Sequence, residues 1–370
     1  MPRNPKTPIR ADHVGSMIRP ADLVAARQAF DEGNLEAGRL RQLEDAAIAG
    51  VVALQERTGI GCITDGEYRR HNWRDGFFES VDGFSEDKVE SSFIFTEYSG
   101  AERHGIPIPV VLDKLTRRKS ITADDFAYTK TLTSSLVKAT LPSPTVNHFF
   151  AGDKALKDSP YDGLDEFFTD VTAIYHQEIA DLAARGCTYL QIDEVPIAVL
   201  CDPKNHAIVR ARGEDPEAMI DRYIAVINAV AAAAPDTMRV AVHMCRGNQG
   251  QGQASGGYEP VAERLFQGLE VDGFLLEYDT ERAGDFAPLA YLPKGKTAAL
   301  GLISTKLAEL EGADDLKRRF EEAARFADMD QLALCPQCGF ASSFQTDRFT
   351  NDDVERKLAH LVAVAAEIWG

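Results

Sequence analysis

Short apolar runs without polar alternation recur along the chain, separated by stretches in which apolar residues return every three or four positions. The first pattern predicts parallel strands covered on both faces, near Ile9–Val14, Ile60–Thr64, Thr145–Phe149, Tyr189–Ile192, Arg239–Val242, Gly273–Leu276, Ala298–Ile303 and Leu332–Leu334. The second predicts helices at Leu164–Arg185, stopped by Gly186, at Pro216–Ala234, at Asp314–Ala327 and at Asn351–Trp369, the last capped by Asn351. Eight strands alternating with helices predict an α/β fold, a (β/α)8 TIM-type barrel formed as one domain over residues 1–370. Residues 81–141 break the rhythm. With hairpin-like pieces at Ser92–Tyr98 and Ile106–Leu112, they read as an insertion after the second strand, lid-like because loops at that end of a barrel build the site.

The residues at the strand ends change the picture from fold to chemistry. Asp12-His13-Val14-Gly15-Ser16 comes after the first strand, Asp65-Gly66-Glu67 after the second, and Asp193-Glu194 after the fourth. His243-Met244-Cys245 ends the fifth, Glu277-Tyr278-Asp279 the sixth, and Cys335-Pro336-Gln337-Cys338-Gly339 the eighth. Polar and metal-capable side chains at strand C-termini are the arrangement of a barrel enzyme. His243 and Cys245 flank one residue, so on an extended strand end they point the same way. Imidazole and thiolate suit zinc; a second thiolate from Cys338 or Cys335 and a carboxylate from Glu277 could complete a tetrahedron. On spacing alone this site and simple packing stand level. A zinc ribbon fails for want of a second Cys-x-x-Cys, and a thioredoxin-type pair belongs to a smaller fold.

Composition narrows the partners. A formal net charge of −18 over 370 residues opposes nucleic-acid binding. No apolar run reaches membrane-spanning length, and the opening residues 1–8 lack the apolar core of a signal peptide and read as a flexible arm, so a cytoplasmic location is expected. Six cysteines are too sparse for a disulfide scaffold. The basic groups Arg69, Arg70 and Arg74, and Lys114, Arg117, Arg118 and Lys119, read by default as solvated faces.

The motifs His13-Val14-Gly15-Ser16, Asp65-Gly66-Glu67, Gln191-Ile192-Asp193-Glu194, His243-Met244-Cys245, Glu277 and Pro336-Gln337-Cys338-Gly339 run in order over nearly the whole chain. Together they resemble the cobalamin-independent methionine synthase family, in a short form similar to its C-terminal catalytic barrel. The resemblance implies zinc held by His243, Cys245, Glu277 and Cys338; Cys335 has no counterpart in that set and is left either to the core or to a place behind the ligands. It implies a zinc-dependent methyltransferase acting on the thiol of homocysteine, whose amino group meets Asp193 and Glu67 and whose carboxylate meets Val14, Gly15 and Ser16. Glu67 and Asp193 thus count as catalytic and substrate-binding residues. The plainer readings are that Asp193 caps a helix and Glu67 pairs with a neighbouring arginine.

Two departures concern the methyl donor. The family's Trp after the third strand is absent, with Phe150 the nearest substitute, and the proton-donating His after the seventh strand is replaced by a segment in which Lys306 is the candidate. The donor is accordingly 5-methyltetrahydrofolate or another carrier, such as a methylated corrinoid protein, and a homodimer is compatible with the resemblance. The alternatives are a zinc alkyltransferase of the epoxide:coenzyme M type, with Arg69, Arg70 and Arg74 holding a sulfonate; a metal-free decarboxylase barrel; and a non-catalytic zinc- or thiol-binding protein.

Overall fold

A computed structural model describes residues 8–96, 101–247, 254–343 and 350–370. The expected N-terminal arm, apart from its last residue, and residues 97–100, including Tyr98, lie outside the described residues. Residues 81–117 form two antiparallel pairs: β1 (Val81–Glu90) with β4 (Pro107–Arg117), and β2 (Ile94–Thr96) with β3 (Glu102–His104). The expected piece at 106–112 therefore pairs with β1 and not with β2.

The centre is a six-stranded parallel sheet of β5 (Ala139–Pro142), β6 (Tyr189–Asp193), β7 (Arg239–Met244), β8 (Gly273–Glu277), β9 (Thr297–Ile303) and β10 (Leu332–Pro336), adjacent in sequence order. Every residue of these strands is buried, which is why their sequences show apolar runs instead of alternation. Helices pack between them. The one at Leu164–Ala184 buries Phe167, Val171, Ile174, Ile179 and Leu182 along a single stripe. The helices at Pro216–Ala231 and Ala313–Ala323 end a few residues before their expected C-termini.

The outer strands of the sheet meet the first two expected strands only through single bridges. Ala11 bridges Leu334 of β10, and its carbonyl accepts from Gly61 N at 2.9 Å. Ile63 bridges Val137, just ahead of β5. Ile9–Val14 and Ile60–Thr64 are thus bridge segments and not full strands.

Two expectations are corrected. Thr145–Phe149 is not a strand: Val146–Ala151 is a helix, and the third strand is β5, inside what was read as the end of the insertion. Aromatic and β-branched residues mimicked a strand, whereas Lys138, directly ahead of the real one, and Thr140, within it, obscured its pattern. Both polar side chains are buried because they bond to Asp12 and Glu67. The last helix does span Asn351–Trp369, but Thr350 is its cap, in a reciprocal box with Asp353.

Candidate metal centre and substrate pocket

The C-terminal ends of β6 and β7, together with the turns after Ala11, Ile63 and β10, converge on one small pocket. Val14, Ser16, Glu67, Trp73, Asp193 and Cys338 are among its walls, and its free volume is about 40 Å³. His243 lies on β7, Cys245 comes directly after it, and Cys338 lies two residues beyond β10. Their ligand atoms all lie within 4.8 Å of one another, and all three side chains are buried.

The donor set fits a soft or borderline cation. His243 Nδ1 lies 3.2 Å from the Leu275 carbonyl, which fixes the proton on that nitrogen. Nε2, the remaining donor, is buried without a hydrogen-bond partner. A hydrogen bond from the Cys245 thiol, aided by His243 and opposed by burial, pulls the Cys338 thiol down to about 5. The same pairing and burial push Cys245 well up. The pair thus keeps a thiolate at Cys338 near neutrality. A buried thiolate beside an imidazole nitrogen with no hydrogen-bond partner is a donor pair that fits a metal ion.

Glu277 is fully buried but is not one of this convergent trio. Its Oε1 accepts from Lys306 Nζ at 2.9 Å and from Arg282, and its Oε2 accepts from the Arg246 backbone at 2.8 Å. Lys306 also reaches Asp279 Oδ2 at 3.1 Å. Burial lowers its ammonium to about 8, while burial and the Glu277 charge raise Asp279 to about 7. Lys306 therefore stands beside the trio through Glu277, poised near neutral pH.

Asp193 sits beside His243 in register and lines the pocket with Glu67. Burial, then the Glu67 charge, raises Asp193 to about 7; burial also raises Glu67. Two carboxylates placed this close resist ionising together, and the Arg70 and Arg19 charges partly offset the burial of Glu67. Glu67 is the one non-glycine residue with positive φ (60°) among the described residues. Its Oε1 accepts from Thr140, its Oε2 has no partner, and Arg70 lies 3.8 Å away. Glu67 thus combines a strained backbone with an unsatisfied buried oxygen.

Gly15 and Gly339 let the turns close in. A Cβ on Gly15, at φ +138°, would lie 2.8 Å from Thr140 Cγ2, and one on Gly339 would lie 1.9 Å from Ser16 Oγ. Phe340 N donates to Ser16 O at 2.9 Å, fastening the Cys338 turn to the Val14–Ser16 turn.

Phe150 does not line the pocket. It is packed edge-on against Phe149 and Phe93, with the Arg74 guanidinium over its ring. The aromatic wall is Trp73, six residues after Glu67 and held by its backbone N–H, which donates to Ser342 O at 3.1 Å. Its rarity was the available signal, since the chain has two tryptophans. Arg69 is taken up by Asp45 and Asp125, and Arg70 by Thr122 and Thr140, so neither faces solvent as the charge pattern suggested. Cys335 is core, in a layer with Val14, Cys62, Tyr189, Ala241, Leu275, Ala299 and Ala333.

With this geometry in view, comparison with known proteins gives a consistent answer. The profile of the cobalamin-independent synthase catalytic domain matches residues 10–367. An uncharacterized Bacillus subtilis protein, YxjH, is 38% identical over 98% of this chain and 96% of its own length. A solved structure from Listeria monocytogenes, assigned as a vitamin-B12-independent methionine synthase, is 30% identical with a TM-score of 0.75, covering 98% of this chain and 99% of that one. A B12-independent methionine synthase from Shewanella sp. W3-18-1, in complex with selenomethionine, shares the fold at 20% identity and a TM-score of 0.73 over 97% of both chains. The 5-methyltetrahydropteroyltriglutamate–homocysteine methyltransferase of Flavobacterium johnsoniae is 21% identical over 96% of this chain, which spans only 41% of that enzyme. The family profile and the relatives matched along nearly their full length give one conclusion: this chain belongs to the cobalamin-independent synthase family, in its catalytic-domain form.

Proposed function

We propose that the protein is a zinc-dependent S-methyltransferase that moves a methyl group from a donor to the thiol of homocysteine, giving methionine. The observation that supports this best is the buried trio His243, Cys245 and Cys338 opening onto the same pocket as Asp193 and Glu67. In this reading the trio holds the metal and Glu277 is its fourth ligand, released by Lys306 and Arg282. We infer further that the six-stranded sheet belongs to an eight-stranded barrel, a reading supported by the bridges at Ala11 and Ile63. A cytoplasmic location suits six cysteines that are all unpaired.

A free thiol has a pKa near 8.5, so only a few per cent is ionised at neutral pH. Zinc, when bound, would keep a substrate sulfur deprotonated and nucleophilic. That ionisation is worth only about 2 kcal/mol, so most of the rate must come from alignment. The chain's own residues supply it. Asp193 and Glu67 bind the ammonium, and backbone N–H groups of the Val14–Ser16 turn bind the carboxylate. Trp73 closes the wall against water. Lys306 Nζ, near 8, is matched to proton delivery to the departing donor.

The epoxide:coenzyme M alternative is weaker, because Arg69 and Arg70 are already committed to other partners. Product mass spectrometry on the zinc-loaded protein, with a panel of thiols and methyl donors including 5-methyltetrahydrofolate and a methylated corrinoid protein, tests the proposal. Methionine from homocysteine is the expected product. Zinc capture without any alkylated thiol would leave a binding protein in its place.

A further inference from the structure

Lys138 sits on the inward side of the pocket, wholly buried and outside every role assigned above. An ammonium offers three N–H donors and no acceptor, and Lys138 uses all three. It donates to Asp12 Oδ1 at 2.9 Å, to Gln191 Oε1 at 2.9 Å, and to the His13 carbonyl. Asp12 balances its charge and is itself held by the Tyr189 hydroxyl at 2.6 Å.

The consequence falls on Gln191. A side-chain amide can face either way round, and its hydrogen-bond partners decide which. Because Lys138 can only donate, the Gln191 oxygen must face it, and both amide hydrogens are turned to the pocket side. There Nε2 donates to the Val14 carbonyl at 2.6 Å and to Asp193 Oδ1 at 2.7 Å. The reversed amide would set an oxygen against two oxygens. Both limbs of the amino-acid grip, the turn for the carboxylate and Asp193 for the ammonium, are therefore tied to one amide.

We propose that Lys138 is a positioning residue that fixes the amide of Gln191 and so sets the spacing between the Val14 turn and Asp193 for an amino-acid thiol. This rests on the homocysteine reading above. Lys138 touches no substrate; its effect travels through Gln191 and is specific to thiols carrying both an amino group and a carboxylate.

The test compares homocysteine with its des-amino analogue, 4-mercaptobutyrate, by titration calorimetry and steady-state kinetics on the zinc-loaded full chain. Lys138→Met strands the buried Asp12 carboxylate, so Gln191→Met serves as the second variant and decides the matter should the first not fold. Each variant is expected to weaken homocysteine about tenfold or more, chiefly in KM, the scale of one charged hydrogen bond lost. Binding of 4-mercaptobutyrate should change less than about threefold, zinc should stay at one per chain, and the double variant should be no worse than the weaker single one. Equal losses on both thiols, additive losses or loss of zinc would overturn the relay. A wild-type preference for homocysteine that both variants keep sinks the relay alone. No preference in the wild type sinks the amino-acid-thiol reading and the relay together.

Discussion

Asp193 and Glu194 are neighbours with different work, and each makes its own prediction. Asp193 lines the pocket, so on the proposed reading Asp193→Asn removes an anionic partner from the substrate ammonium while keeping the shape. A hydrogen bond to a charged group contributes roughly 1.5–3 kcal/mol, so the KM for homocysteine should rise about 10- to 100-fold with zinc still bound. An unchanged KM would take Asp193 out of the grip. Glu194 points away, into the protein: it accepts from Ser143, from Ile197 N at 2.9 Å and from Thr145, yet burial still raises it to about 7 from an ordinary 4.5. A carboxyl with a raised folded pKa favours folding while protonated, and that advantage is lost as pH climbs from about 4.5 to about 7. At 1.36 kcal/mol per unit the loss is about 3 kcal/mol. Glu194→Gln keeps the acceptor oxygen without the charge, so its stability relative to wild type should improve between pH 5 and pH 8 in urea titrations. Parallel pH profiles for the two proteins would show that Glu194 does not carry this load.

At the scale of elements, the parts legible in the sequence were those governed by local periodicity. The helix at 351–369 and the sheet strands from Tyr189 onward show their burial in their own spacing, and His243-x-Cys245 needs only a strand end to converge. What escaped depended on partners far along the chain. β5 was hidden because Lys138 looks like a strand breaker until Asp12, 126 residues away, is seen to neutralise it. Phe150 was expected as the aromatic wall because it lies nearest to where the family carries a Trp after the third strand, whereas a backbone bond to Ser342 holds Trp73 at the pocket. Glu277 was legible as a carboxylate at a strand end, but its pairing with Lys306 and Arg282 was not. The turn after β10 offers a test of how closely the elements must meet. Gly339→Ala would drive a methyl into Ser16 Oγ, so the Cys338 turn must back away. Overpacking of this kind costs about 1–3 kcal/mol. Both zinc affinity and the urea midpoint should fall. Thr350→Ala, which removes a helix cap far from the pocket, should cost about 1 kcal/mol and leave zinc affinity unchanged. If Gly339→Ala behaves like Thr350→Ala, the turn has more slack than its contacts imply.

For the whole molecule, the proposed metal ligands tie together distant parts of the chain. His243 and Cys245 come from β7 and its end, and Cys338 from beyond β10, two strands further across the sheet than β8. The unfolded chain leaves Cys338 far from the His243–Cys245 pair, so a cation that binds all three binds the folded state and stabilises it by mass action. Zinc at 1,000 times its dissociation constant is worth about 4.1 kcal/mol, a large share of the 5–15 kcal/mol typical of a folded domain. The net charge of −18 acts in the same direction, since a negative surface draws divalent cations in. Stripping the protein with a chelator should therefore lower its urea midpoint with the slope of the transition little changed, and added zinc should restore it. Calcium or magnesium, which prefer oxygen ligands, should not. In Cys338→Ser the midpoint should already be low and zinc should no longer move it. A chelated protein as stable as the loaded one, or a Cys338→Ser variant that still responds to zinc, would mean that the trio is not where the metal binds.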